Sequence, residues 1–192
     1  MGSSIYMTLA AMVLLSVFIL STNSLIQKSS LTVTDSEYFI TAISLAQNVI
    51  DEAKTKAFDE EFAANKNSDS KKLADVLKKL TTNINLGRDK GEDTFQYPDL
   101  PDTVIGQIYN STKLFDDFDD YNGYQRIVNT RRAETFKILS VVEYVDPENP
   151  DKTSKNSEPT LCKRMTVYVT SPYLKSHGGN YETVKLQYAM TY

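Results

Sequence analysis

The chain has 192 residues, 24% charged and 41% hydrophobic, a balance ordinary for one globular unit of modest size. Its net charge of −4 and pI near 5.1 argue against a nucleic-acid partner, which would show as a basic face. The lone Cys162 cannot form an intrachain disulfide and reads as a strand thiol, while the lone His177, followed by two glycines, reads as a turn residue without partners at metal-ligand spacing.

The apolar content is uneven. Residues 1–27 carry no charge, and Lys28 is the first charged side chain. Between Ile5 and Leu20 only Tyr6, Thr8 and Ser16 are polar, and their hydroxyls can bond back to their own helix. With its uncharged flanks this run reaches the roughly 20 residues that ~30 Å of hydrocarbon demands, so residues 1–27 read as a transmembrane half-helix. A cleavable secretory signal usually opens with Lys or Arg, and Met1-Gly2-Ser3-Ser4 has neither. A head of about 130 residues is also too small to surround a helix that is apolar on all sides.

From Leu31 the pattern becomes one-sided. Phe39, Ala42, Ile43, Ala46, Val49, Ile50, Ala53 and Ala57 recur at three- and four-residue steps, with Asp35, Glu37, Gln47, Asp51, Lys54 and Lys56 at the other positions. No Pro precedes Pro98 and no Gly lies between Gly2 and Gly87, so nothing interrupts the helix. The spacing predicts one helix from about Ser4 to about Phe58, roughly 80 Å long at ~1.5 Å per residue. Its amphipathic half, residues 28–58, is expected to dock on the head through Phe39, Ala42, Ile43, Ala46, Val49, Ile50 and Ala53.

Residues 59–192 form the head. Asp59 to Ser70 is charged and rich in Asn, Ser and Lys, the composition of a loop, and Lys71 to Leu80 fits a short helix with Leu73, Val76, Leu77 and Leu80 on one face. Gly87 to Tyr109 reads as loop. Asn110-Ser111-Thr112 satisfies a glycosylation sequon at Asn110, a triplet that is also common by chance. Asp116, Asp117, Asp119 and Asp120 with Asn122 make the densest set of oxygen ligands in the chain. Two readings stand for it: a calcium site, which needs six to eight such oxygens, and an ordinary solvated turn, since Asp120-Tyr121-Asn122-Gly123 is a turn sequence. Apart from that calcium, no cofactor is implied and nothing points to an enzyme.

The C-terminal third alternates as strands do. Thr135 to Val145, Cys162 to Thr170 and Thr183 to Tyr192 are rich in β-branched and aromatic residues, and Arg126 to Val128 offers a fourth strand. Polar connections at Asp146 to Pro159 and Pro172 to Asn180 suit antiparallel neighbours. The expected fold is therefore α+β: a long N-terminal helix whose apolar stripe covers one face of a small antiparallel sheet.

In three segments the chain resembles the type IV pilin-like superfamily of pilus subunits and secretion pseudopilins. The uncharged helix running into Ala42-Ile-Ser-Leu-Ala-Gln-Asn-Val-Ile-Asp-Glu-Ala-Lys54 is similar to the segment where such helices meet their heads. Phe115-Asp-Asp-Phe-Asp-Asp-Tyr-Asn-Gly123 resembles an acidic loop of some heads, and Lys163-Arg-Met-Thr-Val-Tyr-Val-Thr-Ser-Pro172 resembles their paired C-terminal strands. The chain departs from the family pattern in showing no short basic leader, in having Ile5 where mature members usually carry Glu, and in lacking a C-terminal disulfide. The resemblance implies a lollipop-shaped subunit that sits in the inner membrane before assembly. It then polymerises with copies of itself into an extracellular filament whose core packs Ile5, Leu9, Ala10, Met12, Val13, Leu14, Val17, Phe18 and Leu20. Two alternatives remain open at this point: a monomeric single-pass binding module with an extracytoplasmic head, and a minor pseudopilin of a secretion system.

Overall fold

A computed structural model describes residues 2–59, 77, 80–82, 85–88, 92, 101–106, 108–131, 133, 135–155, 158–176 and 179–192. Helix α1 runs unbroken from Gly2 to Ala53, 52 residues, as the absence of helix breakers requires. Along it Thr8, Ser16, Thr22, Thr32, Thr34, Ser36, Thr41 and Ser44 each return a hydroxyl hydrogen bond to a carbonyl three or four residues back, so their polarity is satisfied within the helix. The segment Ile5–Ala53 is long enough and apolar enough to cross a membrane.

The helix ends at Ala53, short of the expected Phe58. Thr55 and Lys56 tighten the exit by donating their N–H groups to the carbonyls of Glu52 and Ala53, both at 3.1 Å. Ala57 then leaves the helix to pair with the acidic loop: its N–H donates to Asp116 O at 3.0 Å, and it forms a parallel bridge with Asp117. Tertiary pairing outcompetes a last helical turn whose carbonyls have no cap.

After α1 come the two-residue strands β1 (Val104–Ile105) and β2 (Ile108–Tyr109), which pair with each other in a region expected to be loop. Helix α2 (Asn110–Leu114) follows, then a 3₁₀ turn at Asp119–Tyr121. The main sheet is built from β3 (Gln125–Val128), β4 (Phe136–Asp146), β5 (Asn149–Thr153), β6 (Cys162–Lys175) and β7 (Tyr181–Thr191). All its pairings are antiparallel, in the order β3-β4-β6-β7, with β5 folded back on the end of β4. The expected short helix at Lys71–Leu80 lies outside the described residues except for Leu77 and the buried Leu80. His177 also lies outside them. Cys162 is a buried strand residue.

Strand alternation sends one face toward the helix. Ile138, Ser140, Val142 and Tyr144 of β4 lie opposite Val169, Val167, Met165 and Lys163 of β6, and the next row is Val184, Leu186, Tyr188 and Met190 of β7. Against this face α1 lays Ala42, Ala46, Val49, Ile50 and Ala53, all buried, with Phe39 partly buried beside them. Three of the five are alanines, so the helix axis approaches the sheet closely and the contact stripe is narrow. For that reason Ile43 falls outside it. Expected to pack on the head, Ile43 is 46% exposed, next to Ile40 at 63%, because one residue's rotation of ~100° from Ala42 carries it off the covered face.

Candidate functional site

The apolar half of α1 is the first candidate. Ile5, Leu9, Ala10, Met12, Val13, Leu14, Val17, Phe18 and Leu20 are all exposed, Leu14 at 71%, on a helix with no neighbour along that length among the described residues. A band of this size, apolar on every side, far exceeds the patches that monomeric proteins show to water. Its chemistry is that of a surface completed by lipid tails or by other helices.

At its other end the helix is locked to the head through a buried polar joint that was not legible as a site. Glu52, on the last turn of α1, accepts hydrogen bonds from Ser111 Oγ (2.6 Å), Tyr121 OH (2.9 Å) and Arg126 Nη2 (2.8 Å). Arg126 also donates through Nε to Tyr124 OH at 2.7 Å, and its guanidinium stacks 3.7 Å from the centre of the Tyr109 ring. The Tyr124 hydroxyl donates in turn to Asp102 Oδ2 at 2.9 Å, and the same carboxylate caps α2 through the N–H groups of Asn110 and Ser111. Burial alone would raise the Glu52 pKa, but the Arg126 charge and the three donors reverse this and hold it below the usual value. Asn110, the sequon residue, is half-buried at the start of α2.

The acidic loop is neither solvated nor a ring of convergent ligands. Asp117, Asp119 and Asp120 are buried and only Asp116 is exposed. Asp117 Oδ1 accepts the N–H groups of Asp119 (2.9 Å) and Asp120 (3.1 Å), and Asp120 Oδ2 accepts those of Asp116 and Asp117, both at 3.1 Å. Asn122 fastens the loop to its surroundings, donating to Leu86 O at 2.9 Å and accepting from the N–H of Val142 at 3.1 Å. Gly123 closes the turn at φ +73°, a left-handed conformation that suits glycine. Of the five residues expected as calcium ligands, Asp117, Asp120 and Asn122 thus each have an oxygen engaged by loop or strand amides, and Asp119 Oδ1 is engaged by Lys163. Among the described residues the acidic groups close enough to share an ion are Asp116 and Asp120 with Glu92, which sequence spacing did not bring in.

Burial and the neighbouring Asp119 and Asp120 carboxylates push Asp117 up to about 9, and burial with a hydrogen bond to Glu92 pushes Asp120 up to about 8. The loop therefore holds protons at neutral pH. Its one buried cation is Lys163, which donates to Phe58 O (2.7 Å) and Asp59 Oδ2 (2.8 Å) and pairs with Asp119 Oδ1.

Neither Lys163 nor Arg126 stands in a motif that marks a buried charge. A signal was present: Lys163 shares strand parity with Met165, Val167 and Val169, so alternation already put it on the core face. No protein-family model, curated protein or solved structure matches this chain.

Proposed function

We propose that this chain is a structural subunit of an extracellular type IV pilus-like filament, held in the inner membrane before assembly and polymerising with copies of itself through the apolar half of α1. The observation that carries this reading is the uniform exposure of the side chains from Ile5 to Leu20, on a helix whose far end is packed on the head through Ala42, Ala46 and Val49. Backbone groups satisfied within the helix make the same surface stable in hydrocarbon and against neighbouring helices. Ala10, Ala11 and Ser16 leave room for close helix approach. The acidic composition and the α+β head suit a filament wall that faces water.

Shearing of intact cells followed by sedimentation and negative-stain microscopy tests it. The wild-type chain is expected in the sheared fraction as fibres. Leu14→Lys, which costs on the order of 2.5–3.5 kcal/mol in the centre of a membrane helix, is expected to abolish them while the isolated subunit keeps its head folded. Wild-type chain found only as a membrane monomer would overturn the filament in favour of a single-pass binding module.

A further inference from the structure

Lys163 has no part in the filament packing, yet it is fully buried on the inward row of β6, between Tyr144 of β4 and Met190 of β7. Its Nζ meets Asp59 and Asp119, both buried, and lies 4.8 Å from the centre of the Phe58 ring and 5.3 Å from that of Tyr144. An ammonium and a carboxylate enclosed in this way each forfeit several kcal/mol of hydration. Carboxyls also outnumber the amine, since the buried Asp117, two residues before Asp119, accepts the Asp119 N–H.

The two carboxyls that touch Nζ differ in their other partners. Asp59 is polarised: Oδ2 accepts the Thr81 N–H at 3.1 Å and lies 3.2 Å from Tyr144 OH, and Oδ1 accepts the Thr81 hydroxyl at 3.3 Å. Donors placed there stabilise negative charge that develops on the carboxyl oxygens during attack at carbon. Asp119 Oδ1 is also within hydrogen-bond reach of Nζ, the geometry that a proton relay needs. Nζ stands 2.8 Å from Asp59 Oδ2, so the amine is already held in contact with the carboxyl that it would attack.

We propose that Lys163 and Asp59 condense to an intramolecular isopeptide bond, with Asp119 relaying the proton. One proton passes from the ammonium to the Asp59 carboxylate, leaving a neutral amine and a neutral acid. The amine lone pair forms the N–C bond at Asp59 Cγ. Asp119 takes a proton from the nitrogen and delivers it to the departing hydroxyl, the C–O bond breaks and one water leaves. Asp119 ends in its starting state, and no oxidant or co-reactant is consumed. The product replaces two buried charges by a neutral amide in a site that excludes the water needed to reverse it. It ties the segment leaving α1 to the middle of the sheet.

The test uses the full chain purified in detergent, denatured, methylated at its free amines, digested and analysed by tandem mass spectrometry. The expected result is a branched peptide joining residues 59 and 163, lighter than its two parts by one water, with Lys163 unmethylated. Asp119→Asn is expected to lose the branch while retaining a cooperative melt, and Lys163→Met supplies the branch-free control. Recovery of methylated Lys163 in linear peptides as the sole wild-type form would overturn the bond, leaving a buried ion pair. An undiminished branch in Asp119→Asn would overturn the role given to Asp119. Both readouts are independent of filament formation.

Discussion

The two halves of α1 differ in apolar content and in fate. From Ile5 to Leu20 every side chain is exposed, whereas from Ala42 to Ala53 a stripe of small residues is sealed against β6 and β7. Hydropathy separates them, but it does not fix the orientation of either. Orientation is set by anchoring: the docked half carries Glu52, whose carboxylate is held by donors from α2, the 3₁₀ turn and β3, while the free half carries no charge to fix its orientation. A charged joint gives the docked half a unique rotation about its axis. The free half, apolar all round, can accept whatever surface surrounds it.

The comparison breaks most sharply at the joint. Arg126→Ala leaves Glu52 without its cation, and removing one partner of a buried pair costs about 3–5 kcal/mol. The lower end is expected because the Glu52 side chain keeps 14% of its exposure. Denaturant melts of the head should register the loss, and membrane insertion of the free half should not change. An unaltered melt would mean that the alanine stripe alone holds the helix.

A second test uses pH, which acts on the docked end only. Asp117 and Asp120 hold protons in the folded state that an unfolded chain releases above 3.8, so the stability they confer is full below that value. It is lost as pH rises through about 8 to 9, as both side chains ionise. Glu52 acts in the opposite sense, contributing above its unfolded value of 4.5 and failing as pH falls through its lowered folded value. The groups facing this loop are Lys163, Asp59, Asp119 and Glu92. Melting temperature is therefore expected to fall from about pH 5 to about pH 8. Asp117→Asn keeps the acceptor for the two loop amides and should flatten that slope; an equally steep slope in the variant would remove Asp117 as its source.

The smallest effect sharpens the boundary between the halves. Ile43→Gln, on the open flank of the docked segment, is expected to change head stability by no more than about 0.5 kcal/mol. Ala46→Gln, three residues on and fully buried, should be strongly destabilising in the same melt. Equal losses would place Ile43 in the helix–sheet contact after all.

These contrasts explain how much of the molecule could be read from its sequence. The helix, the three long strands and the alanine stripe are legible because periodicity reports them directly, whereas β5 falls in a segment read as a polar connection. Ile43 misled because a period of three to four residues does not say how wide the covered stripe is, and small central residues make it narrow. The acidic loop misled for another reason. Carboxylates in a turn are usually read as solvated, but here Asp117 and Asp120 turn inward to hold loop amides and Lys163 supplies a buried counter-charge from 44 residues away. Such a pairing leaves no local trace. Strand parity at Lys163 and at Arg126, which pairs with Ile138, was the one available hint.

The length of α1 has a mechanical consequence. The stretch from Tyr38 to Ala53, about 24 Å at ~1.5 Å per residue, packs on the core of the head, while Gly2 to Glu37 runs about 54 Å before it. The helix is thus a lever with its clamp at one end. A sideways push at the free tip arrives at the clamp multiplied roughly twofold by the ratio of those arms. Glu52 and Arg126 sit at the far edge of the clamp, so an ion pair and its hydrogen bonds bear that multiplied force.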